Sequence, residues 1–278
     1  MMMQILSETN LFDFGLVGRQ LPELLKYLPI TLELALLSML IGLAVGLLLA
    51  VIRMKRIPVL RQIAAFYISI IRGTPAIVQL YIAYFGIPML LKYMNLHFGT
   101  DFDISAFPGF ACAVFAMGFN ESAYNAETIR AALSSVDRGQ IEAASAVGMT
   151  YPQALRRIIL PEAMTVALPG LGNSFIGLIK GTSLAFTCAV VEMTAQGKIL
   201  GGRNYRYFEV YVSLAIIYWA VTIIVERILK FIEKRLELPE QIDKKAAAAE
   251  EPEKARTFTK EAEVRYDTNK KPEKAFSQ

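Results

Sequence analysis

Histidine is nearly absent from this 278-residue sequence: His97 is the only one. One histidine cannot supply a histidine metal cluster, and it falls in a loop rather than an apolar stretch, so neither such a cluster nor a histidine triad is expected inside the molecule. Cysteine is scarce too. Cys112 and Cys188 both lie in apolar context, where they read as small packing residues, not a disulfide framework. The phosphate-binding pattern G-x-x-x-x-G-K-[ST] is missing; "GLIKGTS" at Gly177–Ser183 holds similar letters in the wrong order. If this chain moves anything uphill with ATP, another chain must bind the ATP. Met1–Asn10 lacks a basic region followed by an apolar core, so no cleavable signal is expected and the first apolar stretch serves as its own insertion signal. A net charge of +4 is too small to argue for nucleic acid.

What the sequence has in excess is apolar length. Hydrophobic residues make up 54% of the chain, above the usual 45–50% of soluble domains, with a mean hydropathy of +0.41. Ile30–Ile52 is an apolar run broken only by Glu33, and Phe208–Val225 is another with Glu209 near its start. Runs of about 18 apolar residues read as membrane-spanning helices. The expectation is an all-α integral membrane protein with five spans, at about 30–52, 63–91, 107–133, 163–195 and 208–231. Residues 1–28 form an extracytoplasmic, interfacial segment in which Leu16–Leu28 mixes charge with leucine at helical spacing. Residues 29–232 form the membrane body. Residues 239–278 form a polar cytoplasmic tail with nine basic and nine acidic residues, a composition that predicts disorder.

Basic residues set the direction. Arg53, Lys55, Arg56, Arg61, Arg130, Arg138, Arg156, Arg157, Arg227, Lys230, Lys234 and Arg235 fall on one side of this layout. Arg19, Lys26, Lys92, Lys198, Arg203 and Arg206 fall on the other. The richer side is cytoplasmic by the positive-inside rule. That puts the N-terminus outside and the C-terminus in the cytoplasm.

The first and last spans are clean; the middle three are interrupted. The second holds Arg72-Gly73-Thr74-Pro75, where proline must kink or break the helix. The third turns polar at "NESAYNAETIR", with Asn120, Glu121 and Glu127. The fourth carries Pro169-Gly170, Lys180, Gly181, Thr182, Ser183 and Glu192. Charge and broken helix at membrane depth are tolerated where they line a polar path. Gly73, Thr74, Pro75, Asn120, Glu121, Lys180, Thr182, Ser183 and Glu192 are therefore the candidate pathway residues. For Lys180 and Glu192 the alternative is snorkelling to the surfaces. The glycine pairs Gly42/Gly46 and Gly177/Gly181 have the spacing of close helix contacts.

Between the third and fourth spans lies "QIEAASAVGMTYPQALRRIILPEA", Gln140–Ala163. Asp137 and Gln140 resemble a capping pair; Gly148 suits a helix end; Thr150 and Gln153 start a second helix, with Pro152 in its first turn and Pro161 as its stop. Two helices this short need something to pack on. A cytoplasmic partner with a groove and an ordinary cytoplasmic loop are both open on these grounds.

The spacing Glu142-Ala143-Ala144, Gly148, then Ile158, Leu160 and Pro161 resembles the EAA loop of ABC importer permeases. "RGTP" (Arg72–Pro75), "NESAYNAETIRAA" (Asn120–Ala132) and "PGLGNSFIGLIKGTSLA" (Pro169–Ala185) resemble the polar amino-acid branch of that family, over about residues 15–238. The resemblance implies a type I permease fold in a bacterial cell membrane. It implies a second permease subunit, homo- or heterodimeric, over two ABC ATPase subunits that hold the ATP and Mg, and an extracytoplasmic substrate-binding protein. This chain would bind lipid but no cofactor, metal or nucleic acid, and would not be an enzyme. Glu142, Ala143, Ala144, Gly148, Arg157 and Pro161, in the loop 137–161, would couple to the ATPase. In many relatives an acidic residue or asparagine follows the lysine at 180; Gly181 here implies weaker reading of the solute or room for a bulkier one. "FYISIIRGTP" and "SSVDRGQIEAASAVGMT" are most similar to L-cystine permeases. An ion-coupled secondary transporter is the alternative, with Glu121 and Glu192 as its candidate ion-binding carboxylates.

Overall fold

The computed structural model describes residues 12–55, 57–103 and 108–236. The tail 239–278 and the first eleven residues lie outside the described residues. The described residues up to Glu233 form one compact unit, and the fold below is that unit's. Every regular element among the described residues is helical.

The central element is α5, Gly109–Ser134. The first long helix, α2 (Leu28–Met54), lies along it. Small residues make that approach possible. A Cβ on Gly42 would fall 3.0 Å from Glu121 Cβ, and one on Gly46 would fall 2.9 Å from Asn125 Cβ. From the other side, a Cβ on Gly118 would fall 2.8 Å from Ile41 Cβ. Ser38 Oγ donates to the Val114 carbonyl at 3.3 Å across the same contact. The opposite face of α2 leaves Leu36, Leu40, Leu47 and Leu48 exposed, as a lipid-facing helix requires.

The second expected span, 63–91, is two helices. α3 (Pro58–Gly73) and α4 (Ala76–Phe98) are separated by extended Thr74 and Pro75. Proline breaks the helix outright, and α4 runs through residue 97, so His97 sits in its last turn rather than in a loop. The short α6 (Arg138–Ala146) precedes a run that begins with α7 (Tyr151–Ala154). There Pro161 does not stop the helix. Leu155–Ile159 forms a π turn in which the Leu160 N–H bonds to the Leu155 carbonyl, and α8 (Leu160–Gly181) continues directly. The wider turn absorbs the proline, whose missing N–H and bulky ring would otherwise disrupt the preceding turn.

After a 3₁₀ segment (Thr182–Cys188), α9 (Met193–Asn204) and α10 (Tyr207–Leu236) complete the body. The fourth expected span thus ends in a 3₁₀ turn and a loop instead of running helical to 195. α1 (Phe14–Leu25) buries Val17, Gln20 and Leu24; Gln196 Nε2 donates to Glu23 at 3.3 Å and Ser213 Oγ lies 3.4 Å from the Val17 carbonyl. It is docked on α9 and α10. Both cysteines are free and buried.

Among the described residues four helical stretches are long and apolar enough to cross a membrane: Leu28–Met54, Ala76–Phe98, Tyr151–Cys188 and Tyr207–Leu236. Of the five expected spans, the one at 107–133 is missing from that set. α5 has the length, 26 residues, but Asn120, Glu121, Ser122, Asn125 and Glu127 make it too polar. It is enclosed by other helices, so protein rather than lipid surrounds those groups, although Asn125 Oδ1 is buried without a hydrogen-bond partner.

Candidate functional site: a polar wall beside a broken helix

A cavity of about 110 Å³ opens between α4, α5, α8 and the 3₁₀ segment. Its walls are mostly apolar, with Leu80 and Met117 among them, and its polar groups are Asn120 and Glu121 on α5. Gly177 and Gly181 of α8 face it, with nothing within 4 Å of a Cβ on Gly177. These two glycines therefore open space where helix packing was expected of them, unlike Gly42 and Gly46. Glu121 is buried between α2 and α8; it shares a hydrogen bond with Ser174, and Gly42 leaves room for it. The cavity is well below the ~300 Å³ lower end of small-molecule pockets. A cavity of this size would enclose only part of a small molecule.

The helix break sits beside this wall. Thr74 Oγ1 donates back to the Ile70 carbonyl at 2.9 Å. Gln79, one turn into α4, donates to the Ile71 carbonyl at 2.8 Å, and its oxygen accepts from Asn120 Nδ2 at 3.0 Å. Sequence reasoning missed Gln79. Its only signal there is a lone amide in the apolar stretch "AIVQLYIAYF".

The other predicted pathway residues lie elsewhere. Lys180 is exposed in the last turn of α8, outside the cavity lining, where its ammonium suits the negative end of the helix dipole. Thr182 is buried and bonds the Ile179 carbonyl at 2.7 Å; Ser183 beside it is half-buried. Glu192 is 0% exposed, so it is neither at the surface nor on the cavity wall. It caps α9 by accepting from Ala195 N at 2.8 Å, and its other oxygen lies 3.4 Å from Thr31 Oγ1 and 3.3 Å from Tyr218 OH. One buried carboxylate therefore ties α2, α9 and α10 together. A second polar patch follows α3 and α5, where Glu127 pairs with both Arg53 and Arg130, and the Arg72 guanidinium lies 5.4 Å over the Tyr124 ring. Arg53, Arg72 and Glu127 border an open groove of about 400 Å³, which Gly73 also lines.

The segment 137–161 is built as a projecting corner. Asp137 caps α6 by accepting from Gly139 N at 2.9 Å. At its end Gly148 takes φ +78. Its N–H bonds Ser145 O and that of Met149 bonds Ala144 O, both at 3.0 Å. This is the paired C-terminal motif that needs a left-handed residue. Thr150 N bonds Gln153 Oε1 at 2.9 Å, opening the next helix. Ala144 is buried, and Ile141 and Leu155 pack on Val136, Ile159 and Ala163. Glu142, Ala143, Gly148 and Arg157 are exposed, as are the apolar side chains of Val147 and Tyr151. Pro161 lies half-buried just past the π turn.

The family described as binding-protein-dependent transport system inner membrane component matches residues 42–238. The chain belongs to this family. It is an ABC-importer permease subunit and not an enzyme; ATP hydrolysis is the work of a separate ATPase. Among relatives, it is 44% identical over 230 residues to the probable amino-acid permease protein YxeN of Bacillus subtilis (strain 168), covering 83% of this chain and 98% of that protein. It is 41% identical over 225 residues to the L-cystine transport system permease protein TcyL of the same organism, covering 81% and 92%. A crystal structure of an amino acid ABC transporter with histidines superimposes with a TM-score of 0.68 at 36% identity, over 81% of this chain and all of that one.

In this permease the nine predicted pathway residues separate into three groups. Asn120 and Glu121 form the cavity's polar wall. Gly73, Thr74 and Pro75 form the helix break that Gln79 connects to that wall. Lys180, Thr182, Ser183 and Glu192 run from the end of α8 through the 3₁₀ segment to the cap of α9.

Proposed function

We propose that this permease carries a polar amino acid, with L-cystine as the leading candidate, from outside to cytoplasm, driven by an ATPase docked on the segment 137–161. The observation that carries the transport reading is the polar wall of Asn120 and Glu121, which faces a cavity beside a helix break instead of being used up in helix packing. Polar groups at such depth are costly unless they serve a ligand or a path. The names of YxeN and TcyL support an amino acid as cargo, and that of TcyL supports cystine. Gly181 and Gly177 both line the cavity, and the open space beside Gly177 suits a longer solute such as cystine. Lys180, exposed at the end of α8 and outside the cavity lining, would meet a solute carboxylate only outside that cavity.

Five spans, an outside N-terminus, a second permease subunit, homo- or heteromeric, and an extracytoplasmic binding protein complete the reading. The exposed row of Glu142, Ala143, Val147 and Tyr151 is the part of the chain suited to an ATPase groove. An ion-coupled carrier has less to work with, because Glu192 is consumed by capping α9 and only Glu121 remains to bind an ion.

The test reconstitutes the permease with its ATPase and binding protein in vesicles and follows L-cystine and a panel of amino acids. Uptake is expected only with ATP inside. Glu142→Lys should still insert and assemble but lower solute-stimulated ATP hydrolysis at least about tenfold, the effect of roughly 1.4 kcal/mol of lost coupling. Uptake without ATP sinks the importer reading, and full stimulation in Glu142→Lys sinks the docking role.

A further inference from the structure

The break between α3 and α4 leaves α3 ending in carbonyls with no helical partner, because Pro75 has no N–H and Thr74 is extended at φ −116, ψ 142. Such carbonyls must be bonded by something. Thr74 Oγ1 answers Ile70 O. Gln79 answers Ile71 O and reaches into the break itself: its Nε2 lies 2.8 Å from Ile71 O, 3.1 Å from Thr74 O and 2.7 Å from Thr74 Oγ1. An amide nitrogen carries two hydrogens, so both point back across the break. The amide oxygen is then left to accept, and Asn120 Nδ2 donates to it at 3.0 Å. Asn120 also lines the cavity, whereas Gln79 does not. One continuous chain of hydrogen bonds runs from the cavity wall, through Gln79, to the last carbonyls of α3.

We propose that Gln79 is a positioning residue for transport: it ties the geometry of the α3–α4 break to what occupies the cavity at Asn120. Asn120 Nδ2 carries two hydrogens, one of them on Gln79 Oε1; a solute carboxylate that takes both, or turns the amide into the cavity, removes that bond. Gln79, no longer anchored to α5, then holds the break less firmly, and α3 and α4 are freed to move about it. The role in transport rests on reading the cavity as part of the solute's path; the link from Asn120 to the break does not.

Hydrogen exchange of the assembled transporter in lipid nanodiscs, without solute, tests the link. Gln79→Leu is expected to speed exchange in the peptide covering 70–79 by at least about fivefold, the lower end of typical coupling effects. Asn120→Ala, on another helix, should speed the same peptide in the same direction. The double variant should add nothing beyond Gln79→Leu, because both remove one chain of bonds. Gln79→Glu keeps the side chain's size and its acceptor for Asn120 but loses the donors, and should loosen the break as Gln79→Leu does. A residue that merely staples the break would leave it indifferent to Asn120. Parental exchange over 70–79 in Asn120→Ala, or additive effects in the double variant, overturns the proposal. Amino-acid uptake by the unmodified complex tests the importer reading separately: if uptake fails while the exchange coupling holds, the relay stands and the assigned cargo falls.

Discussion

Gly46 lets α2 rest on the backbone of α5: a Cβ there would meet Asn125 Cβ at 2.9 Å, Ala126 N at 3.1 Å and the Ser122 carbonyl at 3.1 Å. Two of these three neighbours are backbone and cannot swing aside. Gly177 is chemically the same residue in a different setting, with nothing within 4 Å. The difference predicts opposite outcomes for similar substitutions. Gly46→Leu should push the two helices apart and cost about 1–3 kcal/mol, the usual range for overpacking, read as a lowered melting temperature of the purified protein. Gly177→Ala should melt with the parent and only narrow the cavity. Equal melting temperatures for Gly46→Leu and the parent would mean that α2 and α5 are not in contact here. Both pairs have the same spacing in sequence, four residues, so spacing alone does not separate a packing glycine from a cavity glycine. The facing residues decide, and they come from another helix.

At the scale of the element, local chemistry was legible and non-local chemistry was not. Asp137, Gly148 and Thr150 each act within a few residues, and each occupies the helix boundary expected of it. Pro75 breaks its helix for the same local reason. Pro161 misleads because the π turn that accommodates it is a property of the whole run from Tyr151 into α8. Gln79 was missed because its partner Asn120 lies 41 positions away, and Glu192 was misplaced because Thr31 lies 161 positions away. The best-read element also makes the most direct prediction. Gly148→Ala forces a side chain into the left-handed region at φ +78, at a cost of about 1–2 kcal/mol. The bonds from Gly148 N and Met149 N to Ser145 and Ala144 should weaken, so these amides should exchange faster while those in α2 stay as protected as in the parent. Solute-stimulated ATP hydrolysis should fall along with them. Unchanged exchange at Met149 would show that the helix end does not depend on glycine.

At the scale of the whole molecule, the least apolar long helix is the one that organises the rest. α5 packs against α2, α3, α4 and α8, and its polar residues supply the cavity wall, the link to Gln79 and the pairing with Arg53. An apolarity criterion drops it because that criterion assumes lipid on every side. Its 26 residues extend about 39 Å at 1.5 Å per residue, enough for a hydrocarbon core of about 30 Å. Whether it crosses decides between five spans and four, and among the described residues α5 is the one helix between the end of α4 and α6. Leu96 and Val147 flank it, with exposures of 72% and 73%. In a background with Cys112 and Cys188 replaced, Leu96→Cys should react with a membrane-impermeant maleimide added to intact spheroplasts. Val147→Cys should react only after permeabilisation if its side is cytoplasmic, as the positive-inside rule expects from the basic residues. Labelling of both from outside would remove α5 from the spanning set, and the reversed pattern would invert the orientation. If the two sites label from opposite sides, the chain crosses the membrane on a helix whose charges are met by its neighbours, and the polar path is the helix itself rather than a gap between apolar ones.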